Sequence, residues 1–405
     1  MNDRKRRVLF VDDEPAVLDA LRDLLRRERH EWDMVFAAGG PEALAAMTLE
    51  PFDVVVCDMR MPGMDGAAVL TWVRDHLPAA ARIVLSGQAG ESSVARALPV
   101  AHQYLSKPCD ATTLRRAVSR TCALQGLLQD ESVRRVIGRA SRLASPPATI
   151  SALGAAIADP RAGVQEIADI IEHDPAMSAK LLQLANSAFF GAAREVTSVR
   201  QAVMYLGADV LTGLATTAHV FAAIDLDLPR GLGVDDLQRR AVRRSELAAR
   251  LAGSDRETAD AAAAAALLTD IGILVLGAEL PAEYNQALAL LDEDCSLHVA
   301  EREVLGVTHA EAGAYLLGIW GLPFRVVEGV ALHHRPGAGP EGPSEVVAIV
   351  HVADELIGGP GHGGSAAIDR GALKKAGFAE RLVGWEALAA SLETGSGVTE
   401  PAAGA

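Results

Sequence analysis

The sequence has little cysteine, no long uninterrupted apolar run at its start, and a deficit of positive charge. Each shortage removes a class of function. Four cysteines, Cys57, Cys109, Cys122 and Cys295, are spread over 405 residues. None has the paired spacing of a metal knuckle, and their density is far below that of a disulfide scaffold. Free thiols in a reducing compartment are expected. The opening residues are basic, but Asp12, Asp13 and Glu14 follow soon after, so the apolar core of a secretion signal is missing. Alanine-rich stretches such as 261–268 are too short to span a bilayer. A cytoplasmic protein without membrane insertion is expected. Lys and Arg total 38 against 53 Asp and Glu, a formal net charge of -15. That argues against broad binding to DNA or RNA, where cations must outweigh acids along the phosphate backbone. Arg239-Arg240 and Arg243-Arg244 form the densest basic cluster of the output region, and they make no contiguous stripe. No tandem repeat is visible.

What is present suits a folded chain of two or three domains. Half of the residues are hydrophobic and 22% are charged, and 405 residues exceed one ordinary core. From residue 7 to about 122, short apolar runs alternate with helical patterns. The runs are Val8–Val11, a weaker Met34–Phe36, Val54–Cys57, Ile83–Leu85 and His102–Leu105. Amphipathic segments near 15–28, 41–48, 65–76, 91–97 and 111–120 separate them. Continuous apolar strands between helices predict a parallel sheet covered on both faces. Residues 111–140 read as helix with little interruption, Gly126 and Gly138 being its weak points. The 3-4 spacing of Leu114, Ala117, Thr121, Leu124 and Leu128 fits either a coiled-coil seam or a helix lying on its own domain.

Ser145-Pro146-Pro147 marks a boundary. From 148 to about 335 no convincing strand set appears, and the region reads as all-helical. Asp174-Pro175 has the form of a helix start. Ser198 with Gln201 fits a capping box, followed by an apolar face of Val199, Ala202, Val203, Leu206 and Val210. The segment 336–343 is a loop, 345–357 resumes helix, 358–364 is glycine-rich, and one or two helices precede a frayed tail from about 393.

Three separated signals meet in the first domain. Asp12 and Asp13 end the first strand, Asp58 ends the third, and Lys107-Pro108 follows the last. In a parallel sheet, side chains at strand C-termini converge on one edge. Clustered carboxylates repel one another and are costly to ionise together. A hard cation such as Mg²⁺ offsets that repulsion and takes oxygen ligands. Asp58 is then an oxygen nucleophile for an acyl phosphate, with Lys107 and the Ser86 hydroxyl positioned for the phosphoryl oxygens.

This pattern resembles the receiver domain of two-component response regulators. Val11-Asp12-Asp13-Glu14, Asp58 with Met61-Pro62-Gly63-Met64-Asp65-Gly66, Ser86-Gly87 and Lys107-Pro108 carry the resemblance. It implies a five-stranded parallel, flavodoxin-like α/β sheet and a sensor histidine kinase as phosphate donor. Asp58 is then the phosphoacceptor. Asp12, Asp13, Asp58 and the backbone carbonyl of Arg60 are the implied Mg²⁺ ligands. Ser86 and Tyr104 are the implied switch pair, the aromatic ring following the hydroxyl inward. The resemblance also implies a cis peptide before Pro108.

The second half resembles the HDOD family, an output module related to HD-type metal-dependent phosphohydrolases. The likeness is carried by Ile171–Pro175, Leu181–Phe190, Ala202–Gly207, Leu267–Gly272, Glu301, Gly306, His309–Gly313, Trp320–Pro323 and His333-His334. An HD hydrolase gathers histidines and aspartates around metal-activated water. Here Thr269 precedes Asp270 where that pattern has histidine, and Arg244 stands where a helical histidine is expected. A guanidinium cannot ligate a metal and opposes its charge. Asp270, His309, His333, His334 and Asp354 remain as a residual site, and no catalytic metal is expected there. After His334, the Arg-Pro-Gly sequence lacks the tyrosine of a cyclic-di-GMP phosphodiesterase loop.

The expected organisation is therefore a receiver over 1–122, a helical linker over 123–141, an HDOD output domain over 142–357, and a C-terminal helical extension with a flexible tail over 358–405. The expected function is a phosphorylation-dependent response regulator whose HDOD domain is not an enzyme and acts through an unidentified downstream protein, with homodimerisation a further expectation. A cyclic-di-GMP-type phosphodiesterase and a nucleic-acid-binding regulator are the alternatives.

Overall fold

The computed structural model describes residues 5–87, 100–127, 131–140, 143–159, 161–187, 195–216, 221–223, 233–292, 295–339, 342–358 and 367–395. The first half is a five-stranded parallel sheet: β1 (Arg6–Val11), β2 (Trp32–Ala37), β3 (Val54–Cys57), β4 (Ala81–Ser86) and β5 (Gln103–Ser106), in the order β2-β1-β3-β4-β5. Helices α1 (Pro15–Leu24), α2 (Gly40–Leu49), α3 (Gly66–His76) and α4 (Ala111–Leu127) cover it. All four residues of β3 and all six of β4 are buried, as strands covered on both faces must be. The expected 91–97 helix lies outside the described residues. Register does the functional work. Val11 pairs with Cys57, and Ser86 with Ser106, so Asp12, Asp58 and Lys107 all leave the sheet at one edge.

The stretch expected as one helix from 111 to 140 holds two, α4 and a separate α5 (Glu131–Arg139). Gly138 is not a weak point in α5. A Cβ there would come within 1.9 Å of the Pro78 carbonyl oxygen, so only glycine lets the helix approach the first domain that closely. Leu114, Ala117 and Thr121 of the 3-4 pattern are buried within the chain itself, and Leu124 packs against Gly318. The seam thus lies within the chain, with Leu124 turned to the helical second half; Leu128 lies outside the described residues.

The second half is built of α6 (Pro147–Ala158), α7 (Val164–Glu172), α8 (Pro175–Ala185), α9 (Val199–Thr216), α10 (Val234–Leu251), α11 (Arg256–Leu268), α12 (Ile271–Glu279), α13 (Pro281–Ala289), α14 (Leu297–Leu305), α15 (His309–Ile319), α16 (Phe324–Leu332) and α17 (Glu345–Ile357). The expectation of a purely helical region needs one correction. Leu143–Ser145 (β6) and Phe221–Ala223 (β7) form a two-stranded parallel sheet. Strands of three residues are too short to show a period of two. Asp174 caps α8 as expected, its carboxylate accepting from the Met177 amide at 3.0 Å. Ser198 accepts from the Gln201 amide, but the Gln201 side chain reaches Asp260 at 3.0 Å instead of closing a capping box. The helix after it breaks at Gly207, where φ is 76°.

After residue 358, α18 (Arg370–Lys375) and α19 (Ala379–Gly395) pack back on the helical body. The Trp385 indole donates to the Leu251 carbonyl at 2.9 Å, and Arg381 pairs with Glu345 at 2.5 Å. Among the described residues, one helical stretch, Arg256–Glu279, is long and apolar enough to cross a membrane by length and composition, and 89% of its apolar window is buried inside the protein.

The two halves share a junction pinned by polar side chains. The Gln103 side-chain amide of β5 donates to the Ile319 carbonyl at 2.8 Å, and Arg120 of α4 donates to the Leu322 carbonyl. In return, Gln183 of α8 donates to the His102 carbonyl at 2.8 Å. Arg82, fully buried on β4, donates to the carbonyls of Val100 and Gly138 at 2.5 and 2.8 Å. Lys180 is equally buried. It lies 3.8 Å from the centre of the Trp320 ring and donates to Gln183 at 3.2 Å. Burial draws Arg82 down to about 9 and Lys180 down to about 7.

Candidate functional site

At the sheet edge, Lys107 reaches Asp12 at 2.5 Å and Asp58 at 2.6 Å. Asp12 and Asp58 are almost completely buried, and Asp13 beside them is half-buried. The other carboxylate oxygen of Asp58 accepts from the Arg60 amide at 2.6 Å, which fixes the loop after β3 around it. Asp12 likewise accepts from the Glu14 amide at 3.0 Å. Burial alone would lower the Lys107 pKa, but its hydrogen bonds to Asp12 and Asp58 raise it above the ordinary value, so it stays a cation. Three acids face one amine. A divalent cation would balance the remaining charge, and the available donors are hard oxygens suited to Mg²⁺.

The Ser86 hydroxyl is buried beside this cluster and finds no hydrogen-bond partner among the described residues. A buried donor without an acceptor costs about 1–3 kcal/mol, which an incoming phosphoryl oxygen would relieve. Tyr104 on β5 points inward, 2% exposed, and its hydroxyl also has no partner among the described residues. Burial pushes its pKa well up. The Lys107-Pro108 peptide is cis.

A second polar cluster lies in the helical body, and its centre is Arg244. This guanidinium is 1% exposed on α10. It donates to Asp354 of α17 at 2.5 Å and makes a two-pronged contact with Asp270, at the junction of α11 and α12. Burial would lower its pKa, but the two carboxylates raise it, and in turn the Arg244 guanidinium holds Asp270 below the usual carboxylate range despite its burial. Gly272 lets α12 press against α15, since a Cβ there would lie 2.0 Å from the His309 carbonyl oxygen.

The histidines gather next to this arginine. Thr308 and Glu311 form a capping box that starts α15, which sets His309 at the first helical position. Glu301, fully buried, accepts from both the His309 amide at 2.8 Å and its Nδ1 at 2.7 Å. Burial would lower the His309 pKa, but Glu301 raises it. Burial and neighbouring charges pull His334 well below the ordinary value, and His333 falls to about 3. The His309 and His334 Nε2 atoms are 3.0 Å apart. One nitrogen each of His309, His333 and His334 lie within 4.8 Å of one another, a spacing that could hold a metal ion.

Of the residues named from sequence, Asp12, Asp13, Asp58, Arg60, Ser86 and Lys107 lie at the sheet edge, Tyr104 is buried on β5, and Asp270, His309, His333, His334 and Asp354 gather in the helical body. Sequence reasoning missed the bridging position of Arg244, the Glu301 anchor and the buried pair Arg82 and Lys180. Two of these had a signal: Arg244 by its place in a helix where a ligand histidine was expected, and Glu301 as one of the residues that carry the HDOD resemblance.

The family model of the response regulator receiver domain matches residues 8–119, and that of the HDOD domain matches residues 143–336. The hydrogenase transcriptional regulatory protein HoxA of Cupriavidus necator is 35% identical over 132 residues, 32% of this chain and 27% of that protein. The transcriptional regulatory protein KdpE of Mycobacterium tuberculosis is 38% identical over 127 residues, 30% of this chain and 55% of that one. The chain thus spans between about a quarter and just over half of the length of these curated relatives. A crystal structure of a virulence factor from Campylobacter jejuni is similar with a TM-score of 0.53 at 24% identity, covering 66% of this chain and 98% of that one, a likeness of fold.

Proposed function

We propose, from the premise that this chain joins an N-terminal receiver domain to an HDOD domain in the architecture of a two-component response regulator, that Asp58 is its phosphoacceptor and that the HDOD domain is a non-catalytic output module in the cytoplasm. A sensor histidine kinase is the implied donor, and the output meets a downstream protein.

One observation carries each half. For the receiver it is the convergence of Lys107 on Asp12 and Asp58 beside the unpartnered Ser86 hydroxyl. An Asp58 carboxylate oxygen bonds to phosphorus as the bond to the donor nitrogen breaks. Lys107 and Ser86 then hold phosphoryl oxygens, the amine by charge and the hydroxyl by donation. Mg²⁺, which Asp12, Asp13, Asp58 and the Arg60 carbonyl would hold, supplies positive charge against the incoming anion. Tyr104 lies on the strand whose neighbour Gln103 bonds the helical body, so a changed edge is felt at the junction.

For the output half it is Arg244, whose guanidinium bridges the two acids a metal would need. A fixed cation there supports binding or scaffolding and opposes a hydrolytic metal centre. Incubating the full chain with acetyl phosphate and Mg²⁺ should add one phosphoryl mass to wild type and none to Asp58→Asn. Wild type should not hydrolyse cyclic-di-GMP with Mn²⁺, Fe²⁺ or Mg²⁺. Turnover that disappears in Asp270→Ala would instead make the protein a phosphodiesterase.

A further inference from the structure

We propose that the pocket between helix α4 and the helical body binds a small amphipathic organic anion. This goes beyond the reading above and does not depend on Asp58. The pocket has a volume of about 580 Å³, inside the range of small-molecule sites. One wall is Leu124 of α4, and the others come from Tyr315 of α15 and Phe324, Val327 and Ala331 of α16. Both domains therefore build it. Phe324 is 64% exposed, and Ala331 is half-buried, so apolar surface remains open to an occupant.

Charge at the rim selects the sign of that occupant. The rim carries the guanidinium groups of Arg120, Arg302 and Arg335 and the carboxylates of Glu311 and Glu328. Glu311 is taken by Arg302 at 2.5 Å and by the helix cap, and Glu328 accepts from the Ser344 hydroxyl at 2.7 Å. Arg335 is exposed, and no ion pair to it is found among the described residues. Arg120 is half-buried and donates to the neutral Leu322 carbonyl, with burial drawing its pKa down against the pull of Glu195. The lining thus carries the guanidinium groups of Arg120, Arg302 and Arg335 against the carboxylates of Glu311 and Glu328, a positive balance beside an apolar chamber that complements one acid group on an apolar body.

The Thr308 hydroxyl accepts from the Glu311 amide, and His334 is engaged with His309. An aromatic or aliphatic acid of on the order of 20 non-hydrogen atoms suits the volume. Such a ligand would contact both domains at once and act as a clamp across their junction.

The test is a fluorescence titration of the full-length chain with anilinonaphthalene sulfonate, an apolar ring system bearing one anion, against neutral phenylnaphthylamine. The sulfonate should bind saturably at one site and about tenfold more tightly than the neutral probe, the worth of one charge-assisted contact. Arg335→Glu, at an exposed position, should abolish that preference. Ala331→Trp, which places an indole in the chamber, should weaken both probes about tenfold or more, the scale of one good packing contact. Asp58→Asn should bind like wild type. Absence of a saturable site, equal affinity for the two probes, or undiminished binding by a folded Ala331→Trp variant would overturn the proposal. If Ala331→Trp does not fold, the response of Arg335→Glu decides.

Discussion

Arg244→Met removes the guanidinium that bonds α10 to both Asp270 and Asp354 while keeping much of the side-chain volume. Both carboxylates would be left within the core, at 8% and 0% exposure. Breaking a buried pair by removing one partner costs about 3–5 kcal/mol, because the remaining charge keeps its desolvation penalty. For a helical unit of this size each kcal/mol lowers Tm by roughly 2–4 °C, so a fall of roughly 6–20 °C is expected. Calorimetry of the full chain, with urea unfolding followed by circular dichroism, reads it. Two companions isolate the cause. Adding Asp270→Asn and Asp354→Asn to Arg244→Met should recover most of the loss, since no orphaned charge remains. Arg244→Ala should gain thermal stability with saturating Mn²⁺, because the vacated space between two acids and His334 suits a cation, whereas wild type should not. A loss below about 1 kcal/mol in Arg244→Met would refute the reasoning. So would equal Mn²⁺ stabilisation of wild type and Arg244→Ala.

Lys107→Met should bind Mg²⁺ more tightly by titration calorimetry, since the amine lies on the same carboxylates a cation would use, yet it should lose the structural response to beryllofluoride. Lys180 predicts a pH effect of definite sign. Its amine is drawn down to about 7 in the folded chain, against ~10.4 when unfolded. Between those values the unfolded chain binds the extra proton, so stability from this residue rises with pH and is lost as pH falls toward 7, with a slope of up to ~1.4 kcal/mol per pH unit. Lys180→Met should flatten that dependence in urea unfolding between pH 7 and about 9. Gly138→Ala should force α5 off the Pro78 carbonyl, cost about 1–3 kcal/mol as an overpacked contact, and speed proteolytic cleavage between the domains while Asp58 still accepts phosphate.

The sheet edge was legible because its information is local. Apolar runs such as Val54–Cys57 end in a charged residue, and parallel register then brings those ends together without further knowledge. The helical cluster was half legible. Thr269 and Arg244 advertised missing ligands, but that Arg244 reaches both Asp270 and Asp354 depends on three helices distant in sequence. The junction was not legible. Lys180 sits in Pro175–Ala185, a helix in which every residue is buried. A lone lysine between apolar neighbours reads as a side chain that snorkels to water, and only Trp320, more than a hundred residues later, shows otherwise. Gln103 and Gln183 are similarly silent, because a buried amide is recognised by the carbonyl it meets and not by its own neighbours.

The central claim is that phosphate on Asp58 is transmitted to the HDOD domain through the β5–α15 junction. Hydrogen exchange of the full chain, with and without beryllofluoride and Mg²⁺, tests it most directly. The account predicts a change in amide protection at residues 103–106 and 315–322 in wild type, and none in Asp58→Asn. Unchanged protection at both segments in a wild-type chain whose receiver edge is demonstrably loaded, or the same response from Asp58→Asn, would contradict it.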